Sequence, residues 1–152
     1  MISRRIGDLL RQGVTPEKLA LSVALGVILG LFPVLGTTTA LCAIAALVLR
    51  LNLPAIQLVN YIVYPAQIAL LIPFFRLGEC IFRAPRLPLS VVQVAGMFRA
   101  NYWQAMRFLW VSMCHAVVAW CLLAPLGLAL LYGVLLLALK KAVAYRQPDA
   151  GS

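Results

Sequence analysis

Acidic side chains are scarce in this sequence of 152 residues, which contains four Asp and Glu against 13 Lys and Arg. So few carboxylates leave little for general acid–base catalysis, and no Ser-His-Asp order indicates a nucleophilic enzyme. The four cysteines lie in apolar runs without a C-x-x-C pair, which favours a packing role over zinc or redox chemistry. A P-loop is also missing. We therefore predict a protein that is not an enzyme and that holds no metal and no cofactor.

Charge of either sign is rare, since charged residues make up 11% of the sequence and apolar residues 64%. A soluble domain is nearer to about 25% charged and about half apolar, so we expect lipid to surround this chain. The basic residues flank the apolar runs, as in membrane proteins, and do not form the patch expected of a nucleic-acid-binding protein. These residues are Arg4, Arg5, Arg11, Lys18, Arg83, Arg86, Arg99, Arg107, Lys140, Lys141 and Arg146. No cleavage site ends the first apolar run, so we predict no removed signal peptide.

Proline and glycine are expected to break the apolar helices at residues 32–36 (Phe-Pro-Val-Leu-Gly) and 125–127 (Pro-Leu-Gly), and to break or kink a helix at 64–65 (Tyr-Pro). The early arms hold about 13 residues and rise about 20 Å, which is short of the hydrocarbon core of about 30 Å. We therefore predict an all-α integral membrane protein of broken or re-entrant helical hairpins, with two short spans per hairpin as the alternative. An irregular tip must then be buried in protein or line a wet cavity.

A single membrane domain is predicted over residues 1–152. Its predicted parts are an amphipathic surface segment (1–14), two broken helical hairpins (15–83), a basic linker with a short amphipathic surface helix (84–107), a C-terminal transmembrane hairpin (108–141) and a tail (142–152). Each hairpin returns to the side from which it starts, so nearly all basic flanks would share one side. The positive-inside bias makes that side the cytoplasm, and both termini of this multi-pass protein are predicted to lie there.

Several short motifs fall between residues 15 and 78. They are Thr15-Pro16, the segment 24–26, Gly30, Phe32-Pro33, Gly36-Thr37, Arg50 with Asn52, Pro65 and Gly78. On these residues the chain resembles the bacterial inner-membrane family catalogued as domain of unknown function 2062. Tyr64 precedes Pro65 where that family more often has Asn, and Asn60 lies one turn earlier. The resemblance implies a bacterial inner-membrane protein without an established activity. Some members look fused or adjacent to sugar-transfer enzymes, which implies a link to lipid-linked envelope chemistry.

A helix start inside an apolar region is expected at residues 36–39 (Gly-Thr-Thr-Thr). Free N–H groups and hydroxyls there form a pocket that favours an anion such as a phosphate headgroup. The alternative is that the Thr hydroxyls merely cap the helix and bond its carbonyls. Arg76 and Glu79 lie at i, i+3 within an apolar arm, where charges are costly, so they form either part of this site or a structural ion pair. The predicted ligand-binding residues are Gly36, Thr37, Thr38, Thr39, Arg76 and Glu79.

Small and polar residues mark further positions in the apolar runs. Ser22, Gly26 and Gly30 recur at i, i+4 and i+8, a pattern that lets two membrane helices approach closely. The residues that could line a polar path, or else join helices by hydrogen bonds, are Asn52, Asn60, Gln67 and His115. His115 could also relay protons with Glu79. Tyr102, Trp103 and Trp110 resemble an interfacial aromatic belt.

Three functions are compatible with these residues. The leading hypothesis is a membrane protein that binds or translocates an anionic, phosphate-bearing lipid. The second is a membrane scaffold that docks a partner such as a glycosyltransferase through the glycine pattern and the basic flank. The third is an ion or proton channel that depends on Glu79 and His115. Because 152 residues barely enclose a pathway, we expect a homo-oligomer, and we expect no nucleic-acid partner.

Overall fold

The computed structural model describes residues 15–88 and 90–144, which form five helices and no strand. In chain order these helices are α1 (Pro16–Gly30), α2 (Thr38–Val48), α3 (Leu53–Phe82), α4 (Val91–Ala100) and α5 (Tyr102–Ala144). The predicted amphipathic segment 1–14 lies outside the described residues, and so does the tail from residue 145. The all-helical class that the sequence predicts is confirmed for the described part of the chain.

The α1–α2 hairpin follows from signals at its start and at its turn. Thr15 caps α1, since the Lys18 backbone N–H donates to Thr15 Oγ1 at 3.3 Å and Pro16 occupies the first helical position. The chain then turns through residues 31–37 before α2 begins. Gly36 within this turn has a φ of 85°, a conformation that strains any residue with a side chain. The first predicted helix break is therefore observed.

The chain does not break at the other two places, because α3 and α5 run without interruption for 30 and 43 residues. The interruption predicted at 125–127 is therefore wrong, and at 64–65 only the kink stays a prediction. Pro65 and Pro73 lie inside α3, and Pro125 lies inside α5. A proline removes one backbone donor and bends a helix, but neighbouring helices and the intact hydrogen bonds on either side hold such a helix together. Gly127 does not open the backbone either, since it packs closely against the Ile28 side chain. The second hairpin and the C-terminal hairpin that we predicted are each a single helix.

α1 runs parallel to the first half of α3 and packs on it through small residues. The Asn52 backbone N–H, just before α3, donates to Ser22 Oγ at 3.3 Å. A Cβ added at Gly26 would lie 2.8 Å from the Ile56 carbonyl oxygen, and Gly30 meets α3 one turn further on. Glycine allows this close approach because it has no side chain. The small-residue pattern in α1 is thus occupied by a helix of the same chain.

α5 runs antiparallel to α1 and α3. Lys140 Nζ lies 3.2 Å from Glu17 Oε1, so the end of α5 meets the start of α1. Further along, the Gly78 backbone of α3 meets the His115 backbone of α5. We call the end of the bundle that holds Glu17, Lys140 and Arg50 the base, and the opposite end the top.

The basic residues divide between the base and the top, contrary to the prediction that nearly all share one side. Arg50 precedes α3 and Arg83 follows it, so 30 helical residues, or about 45 Å, separate them. Lys140 lies at the base, whereas Arg107 belongs to the first turns of α5 at the top. The prediction failed because it depended on a second hairpin, which the uninterrupted α3 replaces.

Two small apolar clusters join the helices. The lower cluster, between α1, α2 and α3, consists of Leu25, Cys42, Ala46 and Ile56. The upper cluster, between α3, the following linker and α5, consists of Phe75, Leu87 and Ala116. Many large apolar side chains face outward instead, for example Leu47, Leu58 and Leu122, which are 72%, 61% and 63% exposed. α3 and α5 are each long and apolar enough to cross a membrane.

Candidate functional site

The turn between α1 and α2 (residues 31–37), which we call the hairpin tip, is held by α3 and α5. Gln67 Nε2 on α3 donates to the Phe32 carbonyl oxygen at 2.7 Å. The Phe32 ring packs edge-on against Trp120 of α5, with 5.0 Å between ring centroids. Trp120 Nε1 donates to the Ile28 carbonyl oxygen at 3.2 Å, which satisfies one of the free acceptors at the end of α1. Two other helices therefore fix the position of the tip.

α2 begins at the hairpin tip without a side-chain cap. The Thr37 hydroxyl, which the sequence offered as a cap, donates to the Val34 carbonyl oxygen at 2.9 Å and makes no capping bond to α2. The first turn of α2 thus presents N–H groups that no described side chain satisfies. Gly36, Thr37 and Thr39 are exposed around the positive end of the helix dipole. Of the alternative interpretation, the capping bond is absent at Thr37, whereas a bond from a Thr hydroxyl to a nearby backbone carbonyl is present.

Three amide side chains of α3 lie beside the tip and the start of α2. Gln57 Nε2 donates to the Thr39 carbonyl oxygen at 2.9 Å, and Asn60 Nδ2 lies 3.5 Å from Thr39 Oγ1. Gln67 is 1% exposed, and its Oε1 has no hydrogen-bond partner among the described residues. Exchanging the oxygen and nitrogen of this amide would place an oxygen against the Phe32 carbonyl, so Oε1 is the acceptor left over. A buried acceptor of this kind normally receives a hydrogen bond, here from a water or from a ligand.

The hairpin tip lies beside the lower half of α3. α1 has 15 residues, so it rises about 22 Å from the base to the tip. Gln67, which contacts the tip, lies near the middle of α3. Exposed apolar side chains such as Ile44 on α2 and Ile62 on α3 surround this height. The polar residues of the tip and of the start of α2 thus lie beside the lower half of α3, from Gln57 to Gln67, in an otherwise apolar bundle.

The Arg76–Glu79 pair lies away from the tip, so the six predicted ligand residues do not form one site. Arg76 follows Asn60 by 16 residues in α3, which is about 24 Å along the helix axis. Arg76 Nη1 lies 2.9 Å from Glu79 Oε2. The Glu79 side chain is 5% exposed and its carboxylate also accepts the Leu87 backbone N–H. This carboxylate therefore joins the linker to α3 and pairs with Arg76, which is the geometry of a structural ion pair.

Of the predicted lining residues, Asn60 and Gln67 lie at the tip and the other two do not. Asn52 is the N-cap of α3, and its Oδ1 accepts a backbone N–H of the first turn at 2.9 Å. His115 stacks on Phe82 near the top, with 4.4 Å between ring centroids. Among the described residues, no group of three His, Cys, Asp or Glu side chains could hold a metal ion.

Trp120 is a residue of the tip that the sequence interpretation missed. The indole N–H of tryptophan needs a hydrogen-bond partner when it is buried, so a tryptophan deep inside an apolar run is itself a signal. Gln57 is one of several polar residues near the second apolar run and carries no distinguishing signal of its own. Its contact with Thr39 depends on the antiparallel pairing of α2 with α3, which no local sequence signal specifies.

A family model described as an uncharacterized protein conserved in bacteria matches residues 1–147. This match extends beyond residues 15–78, which carry the resemblance noted in the sequence. No curated protein and no solved structure matches the chain significantly. The description of the family names no activity, so the function has to be inferred from the site.

Proposed function

The chain belongs to the family of uncharacterized proteins conserved in bacteria (DUF2062), and we propose that it is an integral membrane protein through which phosphate-bearing lipids cross the bilayer. In this proposal α3 and α5 span the membrane, and α1 and α2 form a re-entrant hairpin that enters from the base. Lipid headgroups pass the hairpin tip while the acyl chains stay in the surrounding lipid. The sequence has no P-loop, so the proposed movement does not use bound nucleotide.

The observation that carries this proposal is the uncapped, exposed start of α2, which lies beside Gln57 and Asn60 in the lower third of α3. A bilayer is about 40–45 Å thick with its headgroups, so its midplane lies about 20–22 Å from the surface. α1 rises by about the same distance, because its 15 residues span about 22 Å. With the start of α1 at one membrane surface, the end of α1 at the hairpin tip is near the midplane.

The chemistry of the tip fits a phosphate that has left the aqueous phase. A free backbone N–H facing hydrocarbon costs several kcal/mol, so the start of α2 needs water or a polar ligand beside it. The N–H groups of α2 and the Thr39 hydroxyl are donors for phosphate oxygens, and the Thr37 hydroxyl becomes one when it turns from the Val34 carbonyl. Gln67 Oε1 offers an acceptor for a donor group of the same headgroup or its water. Polar groups at the midplane lower the free-energy barrier for moving a headgroup through the hydrocarbon.

The proposed topology places both termini in the cytoplasm of a bacterium, with the chain in the inner membrane. Contact between Glu17 and Lys140 puts the start of α1 and the end of α5 at one face. Further basic residues adjoin these positions in the sequence, and they favour the cytoplasmic side by the positive-inside bias. They are Arg4, Arg5, Arg11 and Arg146. We also propose a homo-oligomer, since a second copy would enclose the open side of the tip.

Lipid movement in reconstituted liposomes tests this function. The probe is fluorescent phosphatidylglycerol, bleached by dithionite from the outside, so that movement raises the bleached share above the outer-leaflet half. We expect wild-type protein to accelerate this movement without nucleotide. Thr37→Val/Thr39→Val should slow it at least about tenfold, because one hydrogen bond to a charged group contributes about 1.5–3 kcal/mol.

The matched control is Ser112→Ala, which also removes a hydroxyl but acts within α5. Ser112 Oγ donates to the Phe108 carbonyl oxygen of its own helix, away from the hairpin tip. This variant should move lipid at the wild-type rate. Wild-type liposomes that behave like protein-free ones would contradict lipid translocation. Equal rates for the wild type and the double valine variant would place the path elsewhere.

The two other functions have less structural support. A scaffold would dock a membrane-associated enzyme through the glycines of α1, but Gly26 and Gly30 already pack on α3 of the same chain. A proton channel would need exchange between Glu79 and His115. The Glu79 carboxylate is bound to Arg76 and the linker, and the His115 ring lies on Phe82. Proton flux that is abolished by His115→Ala would restore the channel hypothesis.

A further inference from the structure

The chain between α3 and α5 carries a basic surface at the top of the bundle, formed by the exposed residues of 83–88 and 90–107, which we call the α4 platform. None of the 10 residues of α4 is buried. The sequence has no acidic residue between Glu79 and Asp149, so every side chain of the platform that is ionised at neutral pH is an arginine. All of these arginines are exposed, namely Arg83, Arg86, Arg99 and Arg107. The platform therefore presents positive charge without compensation.

Large apolar side chains are exposed beside these arginines. Val91 and Val92 are 83% and 79% exposed, and Trp103 is 80% exposed. Val92 and Arg99 lie seven residues apart, so they share one face of α4. The opposite face, which includes half-buried Phe98, turns toward α5. Water alone does not favour such a mixture of valine, tryptophan and arginine, whereas the boundary between lipid headgroups and acyl chains does.

The position of the platform in the fold favours a membrane as its partner. The platform follows the end of α3 and contains the start of α5, the two helices of membrane-spanning length. With these helices in a bilayer, the platform lies at the headgroup level of the leaflet opposite the base. Tyr102 and Trp103 are aromatic residues of the type that concentrates at this level.

We propose that the α4 platform binds the anionic headgroup layer of the membrane at the top of the bundle. This inference rests on the proposed membrane location of the chain, and it does not require lipid translocation. Arginine suits lipid phosphate because its planar guanidinium binds two phosphate oxygens at once. The valines and Trp103 enter the upper part of the acyl region. An acidic soluble protein would pair with the arginines but would offer no such apolar layer to these side chains.

Hydrogen exchange of the α4 amides in nanodiscs tests this surface. One nanodisc contains phosphatidylcholine alone, and the other contains equal parts of phosphatidylcholine and phosphatidylglycerol. Wild-type α4 should exchange at least about tenfold more slowly in the anionic disc. Each basic residue near an anionic surface strengthens membrane binding about fivefold. Arg99→Gln/Arg107→Gln should therefore reduce the protection of α4 in the anionic disc by up to about 25-fold.

The matched control is Lys18→Gln/Lys141→Gln, which removes two exposed charges from the base and should keep the protection of α4. Equal exchange of wild-type α4 in the two discs would overturn the proposal, and so would equal losses in both double variants. Protection that arises only when an acidic protein is added would assign the platform to that partner instead. Thr37→Val/Thr39→Val should leave the protection of α4 unchanged, so failure of lipid translocation is distinguishable from failure of this surface.

Discussion

Gly78 is the place where the backbones of α3 and α5 meet, and replacing it by alanine should force these helices apart. A Cβ at Gly78 would lie 2.6 Å from both the carbonyl carbon and the carbonyl oxygen of His115. It would also lie 2.9 Å from the Ala116 backbone nitrogen. Backbone atoms inside a helix cannot turn aside as a flexible side chain can. The helices must therefore separate by about 0.8 Å to restore an ordinary contact of 3.4 Å.

The expected change in stability combines two opposing terms. Forcing an extra carbon into a tight contact costs about 1–3 kcal/mol. Replacing glycine by alanine inside a helix stabilises that helix by about 0.8–1.0 kcal/mol. Gly133→Ala in α5 is the matched control, because nothing lies within 4 Å of its added Cβ and it gains the helix term alone. The helix term cancels between the two variants, so Gly78→Ala should be less stable than Gly133→Ala by about 1–3 kcal/mol.

Unfolding in mixed micelles with increasing dodecyl sulfate, followed by tryptophan fluorescence, measures this difference. The Gly78→Ala midpoint should fall below the wild-type value, and the Gly133→Ala midpoint should equal or exceed it. Equal midpoints for the two variants would mean that α3 and α5 do not cross at Gly78.

Three further changes test separate contacts. Glu79→Leu should lower the free energy of unfolding by about 1.5–3 kcal/mol and speed hydrogen exchange at the Leu87 amide, since it removes a charged acceptor; unchanged exchange would contradict this contact. Asn52→Ala should lower the free energy of unfolding by about 1 kcal/mol in the same micelle assay, because α3 loses its cap; no change would show that the cap is dispensable. In folded, detergent-solubilised protein, buried Cys42 should resist maleimide while exposed Cys114 reacts. Mass spectrometry measures both labels, and rapid labelling of Cys42 would contradict the core between α1, α2 and α3.

Local sequence signals were sufficient for the first hairpin. Thr15 and Pro16 specify the start of α1 through the cap and the first helical position. Phe32-Pro33 and the following Gly36 specify the turn, because a φ of 85° at Gly36 suits glycine and little else. These residues act within one or two turns of the chain, so their effect can be predicted without knowledge of the fold.

Prolines inside apolar helices were not predictable in the same way. Pro33 ends a helix in this chain, whereas Pro65 and Pro125 lie within uninterrupted helices. The difference depends on what surrounds each bend. Pro33 is followed by a glycine that permits a positive φ, while Gly127 after Pro125 is packed against α1. Tertiary packing therefore decides whether such a proline breaks or only bends a helix.

The sequence predicted individual residues of the candidate site but not which of them lie together. The start of α2 at residues 36–39 was identified because Gly and Thr mark a helix start inside an apolar region. The contacts of Asn60 with Thr39 and of Gln67 with Phe32 depend on the α1–α2 hairpin packing along α3. The separation between Thr39 and Arg76 depends on α3 continuing past Pro65. Neither feature is local. Arg76 was predicted as a ligand residue because of its charge, although its partner Glu79 accepts a hydrogen bond from the linker at the top.

The depth and hydration of the hairpin tip test the central claim most directly. A nitroxide on Thr37→Cys, with the four native cysteines replaced by alanine, reports both quantities in lipid nanodiscs by electron paramagnetic resonance. We expect the label to lie near the bilayer midplane and yet to contact water and a water-soluble relaxation reagent. A label at headgroup depth would contradict a re-entrant hairpin of this height. A label at the midplane without contact to water would contradict a polar path past the start of α2.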